Sequence, residues 1–201
     1  MHPEKPAGPT HAVTFDLSRG EVHLDLPPGE DHAGSLVVPG DALASLAQAA
    51  GAAAAVEFGR ALGHRLGARV SARLEAGVRE ASIDAVASAI GGELAVAGLG
   101  VLTVERWGRA LVIVVEGGSL GAGVAADALR AAAIEGIFSR AAGRELGATP
   151  LARDGARLRV LVASAASAAR ARAWLDEGAS WGDVITRLHG AKGAGSQEAS
   201  A

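Results

Sequence analysis

The sequence predicts an α+β fold: an antiparallel sheet built from hairpins, with helices packed on one side. Three observations predict it. Strand-like segments come in adjacent pairs, and segments of helical periodicity lie between the pairs. The run "ALVIVV" at 110–115 is apolar, rich in β-branched residues and of strand length, as an interior strand requires. The 201 residues, 49% hydrophobic and 20% charged, suit one ordinary domain with a buried core. Alanine buries little area, so that core rests on Leu, Val, Ile, three Phe and three Trp.

Residues 1–10 are polar and Pro-rich and read as a disordered tail. "AVTFDLSRGEVHLDL" then alternates, with Val13, Phe15 and Leu17 on one face and Val22, Leu24 and Leu26 on another, around a Ser18-Arg19-Gly20 turn. A first helix starts at Pro39-Gly40-Asp41, with Asp41 as N-cap, and Gly51 interrupts it. The second covers about 53–75. Phe58, Leu62, Leu66, Val70 and Leu74 form its apolar stripe, and Gly59, Gly63 and Gly67 run beside it. An interior helix glycine costs about 1 kcal/mol relative to Ala. Three in one row therefore predict the close approach of another backbone, in the core or in a dimer. Arg60, His64, Arg65 and Arg69 exclude a lipid setting for that row.

Ser82 caps a third helix whose buried face is Ile83, Val86, Ile90 and Leu94. Strands Val101–Glu105 and Ala110–Val115 follow, joined at Arg106-Trp107-Gly108-Arg109. A fourth helix is expected over about 125–146, with Leu129, Ile134, Ile137, Phe138 and Ala141 inward and Gly147 as its stop. Arg130, Glu135 and Arg140 share its wet side. "TPLARDGARLRVLV" is a hairpin turning at Asp154-Gly155, with Arg157 and Arg159 wet and Leu158, Val160 and Val162 buried. Ala165–Gly178 and a short helix opened by Ser180-Trp181-Gly182-Asp183 complete the order ββ–αα–α–ββ–α–ββ–α–α. Three units result: 1–34, a tail with a hairpin; 35–164, the α+β domain; 165–201, a helical extension and polar tail.

Net charge −3 argues against a nucleic-acid footprint. Without cysteine there is no disulfide or thiol chemistry. The N-terminus lacks the apolar core of a signal peptide, and no run of about 18 apolar residues occurs, so a cytoplasmic location is expected. No phosphate loop, Gly-x-Ser-x-Gly elbow or paired-histidine metal motif is present, and "GGSLGAG" lacks the dinucleotide spacing. The expectation is a chain with no catalytic residues, metal or cofactor. His64 reads as a solvent-facing helix residue or a polar group of a pocket. Glu135 reads as surface or as a carboxylate with perturbed ionisation. Trp107, Trp174 and Trp181 read as lids over the core edge or as contacts to a partner, Trp181 being the best placed for a partner.

Taken together, "SLVVPGDALASLAQAAGAAAAVEFGRALGHRLG", "GLGVLTVERWGRALVIVVEGGS" and "ADALRAAAIEGIFSRAAGRELGATPLARDGARLRVLVAS" resemble the 4-vinyl-reductase-type, or hydrocarbon-binding, domain family over about residues 35–164. The resemblance implies the α+β fold shared with transport-particle subunits of vesicle tethering. It also implies a homodimeric ligand-binding or regulatory module with an apolar cavity. Family members commonly carry cysteines in the last hairpin as metal ligands; "LARDGARLRVLVA" has none, so neither a metal nor reductase activity is carried over. The pocket so implied would gather Phe58, His64, Trp107, Glu135 and Phe138, with Gly59, Gly63 and Gly67 at the dimer or helix contact and Trp174 and Trp181 toward a protein partner. "EFGRALGHRL" and "ALRAAAIEGIFSRAAG" are also similar in layout to the D-type accessory proteins of bacterial cellulose synthase. That similarity implies an oligomeric, non-catalytic scaffold instead.

Overall fold

The computed structural model describes residues 13–16, 21–24, 38–74, 80–108 and 110–190. The expected Ser18–Gly20 turn and both polar tails lie outside them. The elements are β1 (Val13–Asp16), β2 (Glu21–Leu24), α1 (Gly40–Ala50), α2 (Ala52–Arg73), α3 (Ile83–Val96), β3 (Val101–Trp107), β4 (Ala110–Glu116), α4 (Val124–Ala142), β5 (Leu146–Asp154), β6 (Arg157–Ser164), α5 (Ala165–Asp176) and α6 (Trp181–Gly190). Their order is the predicted one. β1 and β2 form a two-stranded antiparallel ladder. The other four form one antiparallel sheet in the order β3-β4-β6-β5, so two hairpins meet along β4 and β6.

The interior position of β4 follows from its residues: Val112, Ile113, Val114 and Val115 are all buried. On one sheet face Ile113, Val115, Leu158 and Val160 pack with Leu66, Val70, Ile90, Leu94, Leu129, Ile134 and Ile137, from α2, α3 and α4. On the other, Val112, Leu151 and Leu161 pack with Ala171, Val184 and Ile185. The helices of 35–164 thus lie on one side as expected, and the extension, α5 and α6, covers the opposite face. Arg159, expected to be wet, is only partly exposed because its face is covered: its guanidinium stacks 5.4 Å over the Trp181 ring.

α2 meets α4 through the glycine row. A Cβ on Gly59 would strike the Leu129 carbonyl, one on Gly63 the Ala133 carbonyl, and one on Gly67 would stand 2.8 Å from the Ile137 oxygen. Gly136 of α4 answers, a Cβ there standing 2.5 Å from the Arg60 oxygen. The expected close approach is therefore an intrachain one. α4 fills the face that the glycine row presents. The buried face of α2 centres on these glycines, which turns Phe58 outward to 47% exposure.

Local signals set the helix ends. Ser82 caps α3 as expected, its hydroxyl accepting from the Ala85 amide at 3.1 Å. Pro39, and not Asp41, is the N-cap of α1; Asp41 sits in the first turn, where a carboxylate favours the helix dipole. α4 stops at Ala142 because Gly143 takes the left-handed conformation (φ +62°). Gly147, expected as that stop, lies instead in β5. Arg130, expected on the wet side of α4, is 1% exposed. Its guanidinium donates to Leu99 O (2.9 Å), Gly121 O (2.7 Å) and Gly117 O (3.2 Å), holding the β4–α4 loop against the start of β3.

Candidate functional site

β5 is an edge strand, and an edge strand exposes unpaired backbone groups. Here side chains take them. Leu146 N–H donates to Ser139 Oγ (3.0 Å), and that hydroxyl donates back to Leu146 O (3.3 Å). Two residues on, Ala148 N–H donates to Glu135 Oε2 (3.1 Å), and Ala148 O accepts from Arg172 (3.3 Å). Pro150, two further, has no N–H to satisfy. The match is geometric: residues four apart on α4 rise about 6 Å, close to the roughly 6.7 Å between strand residues two apart. Glu135 and Ser139 therefore meet alternate β5 residues.

Above this sealed edge α4 and α5 diverge and leave an open cleft of about 620 Å³. Small side chains make the room: Ala128, Ala131 and Ala132 of α4 face Ala165, Ala168 and Ala169 of α5. Gly147 lets α5 close in, since a Cβ there would stand 2.6 Å from that of Ala168. Thr149, buried on the floor, ties α5 down by donating to Ala168 O (2.9 Å).

Polar groups from three helices converge on Ala148. Arg60 of α2 donates through Nε to Glu135 Oε1 at 2.7 Å, and Arg172 reaches from α5. Asp127, further along α4, is held by Arg153, whose Nε lies 2.7 Å from its Oδ2. That bond raises the Arg153 pKa above its ordinary value. Burial is the main cause of the lowered pKa of Arg130 beside it. Glu145 and Asp176 line the cleft from exposed positions.

Of the five residues expected at a pocket, Glu135 alone lines this cleft. His64 is exposed on α2, and Phe58 is half-exposed. Phe138 packs against the main core. Trp107 lies at the other end of the sheet, edge-on to Trp181 with centroids 5.2 Å apart, and donates to Glu105 at 3.0 Å. Trp174 and Trp181, expected toward a partner, are partly buried beneath α5 and α6 against the sheet. Sequence reasoning missed Arg60 and Arg172. The spacing of Ala165, Ala168, Ala169 and Arg172 was the available signal: one face of small residues ending in a guanidinium. Among the described residues no group of three or more His, Asp or Glu is placed to hold a metal ion. No helix among them is long and apolar enough to cross a membrane.

No family model matches the chain, that of the 4-vinyl-reductase type included, and no curated protein matches it. Among solved structures it is similar to the phenol-responsive sensory domain of the transcription activator PoxR, crystallised with phenol. The TM-score is 0.53 at 15% identity, over 76% of this chain and 84% of that one. Identity at that level shows a shared α+β fold.

Proposed function

We propose that this chain is a non-catalytic module that binds a small, largely apolar ligand in the α4–β5–α5 cleft and serves a regulatory role. One observation carries the reading. A cleft of about 620 Å³ is walled by alanines and carries a few polar groups converging on one backbone position. Ligand sites combine an apolar wall with a small number of placed polar groups in this way. The similar solved domain supports the reading by analogy of fold, since its own role is to respond to a small molecule. A thermal-shift screen of small aryl and alkyl compounds tests it, run on the parent and on Ala169→Trp. Ala169 is exposed on the cleft wall, so an indole there fills the cleft without entering the core. Ligands should raise the melting temperature of the parent and leave the variant unmoved. Equal responses from both proteins, or none from the parent, would overturn the proposal.

A further inference from the structure

We infer that the ligand of this cleft carries a carboxylate on its small apolar body, anchored between Arg60 and Arg172; the inference rests on the cleft being the ligand site. Hydrogen-bonding capacity around Ala148 is the reason. A guanidinium has five N–H donors. Among the described residues, Arg60 bonds only Glu135 and Arg172 only Ala148 O, the latter at a long 3.3 Å. Of the carboxylates that line the cleft, the two on α4 are already engaged. Both oxygens of Glu135 accept, one from Arg60 and one from the Ala148 amide. Both oxygens of Asp127 accept from Arg153. Unmet capacity at the polar centre is thus donor capacity, and the group that fits it is an acceptor.

Charge gives the same answer at close range. Arg60, Glu135 and Arg172 sum to one positive charge at the centre, which a single anion neutralises. Asp127 is matched by Arg153 and by Arg130, 3.6 Å away. Glu145 and Asp176 also line the cleft and oppose an anion; all four groups, Arg60 and Arg172 included, are exposed, so water and salt screen both signs and the direct guanidinium contacts decide. A planar carboxylate also suits guanidinium geometry, and the alanine walls take an aryl or short alkyl body.

Calorimetric titration with benzoate, phenol and benzyl alcohol tests this, on the parent and on Arg172→Gln and Arg172→Lys. The expected result is tighter binding of benzoate than of either neutral compound. It should weaken roughly tenfold or more in Arg172→Gln, as one lost charge-assisted hydrogen bond requires, and recover in part in Arg172→Lys. Benzoate affinity of the parent should also fall as salt is raised, a measurement that needs no variant. If phenol or benzyl alcohol binds as well as benzoate, or benzoate ignores both Arg172→Gln and salt, the carboxylate assignment is overturned and the cleft stands. If none of the three binds, the assignment is overturned and the cleft reading loses its support with it.

Discussion

Gly59, Gly63 and Gly67 decide how closely α2 approaches α4. Their spacing made a backbone contact legible in the sequence; its partner was not, because Leu129, Ala133 and Ile137 lie some seventy residues away and meet the row through carbonyls that every residue has. Adding one methyl at Gly63 forces that carbonyl contact apart, so Gly63→Ala should cost about 1–3 kcal/mol in chemical denaturation. Gly182, in a helix where a Cβ would meet only Ser180 Oγ at an ordinary 3.8 Å, gives the opposite sign: Gly182→Ala should be neutral or stabilise by up to about 1 kcal/mol. Arg130 was grouped with Glu135 and Arg140 by its charge alone, while its three acceptors come from residues 99, 117 and 121. Arg130→Met should cost about 3 kcal/mol or more, since three carbonyls lose their donor. Asp183 accepts from the Ser180 hydroxyl at 2.7 Å, which holds its pKa below the ordinary aspartate value. Its cap on α6 is therefore complete above the unfolded-state pKa and is lost as pH falls through the lower folded one. Trp181 fluorescence should report loosening of α6 only in that acidic range.

At the scale of elements, the hairpins were legible because period-two alternation and Asp-Gly are strong local signals, although β5 and β6 turn one residue later than expected, at Gly155-Ala156, with Asp154 still paired to Arg157. Helix ends were less so: Gly143 and Gly147 are both plausible stops, and only the docking of α5 shows that Gly147 belongs to β5. The seal on β5 was invisible, since it joins a helix spacing of four to a strand spacing of two across a turn. It makes a direct prediction. Glu135→Ala removes the acceptor of the Ala148 amide, whose hydrogen exchange should accelerate while that of the Leu146 amide, bonded to Ser139, stays slow. Equal protection of Ala148 in the variant would show that Glu135 does not seal the edge. α5 and α6, which cover the second face of the sheet, carry Trp174 and Trp181 partly buried against it.

For the whole molecule, the α+β class and the element order followed from composition and periodicity, which act along the chain. The cleft did not, because it is space left by small side chains on two helices far apart in sequence, and alanine stripes read equally well as core. Only Glu135 among the expected pocket residues reaches it. Amide chemical-shift mapping of the isotope-labelled chain, during titration with small aryl compounds, benzoate among them, locates directly where a ligand sits. Saturable shifts should cluster at Ala131, Glu135, Ala148, Thr149, Ala168 and Arg172, and Ala169→Trp should abolish them. Shifts that do not saturate, or that gather at the Trp107–Trp181 corner and leave the cleft unmoved, would contradict ligand binding in the cleft.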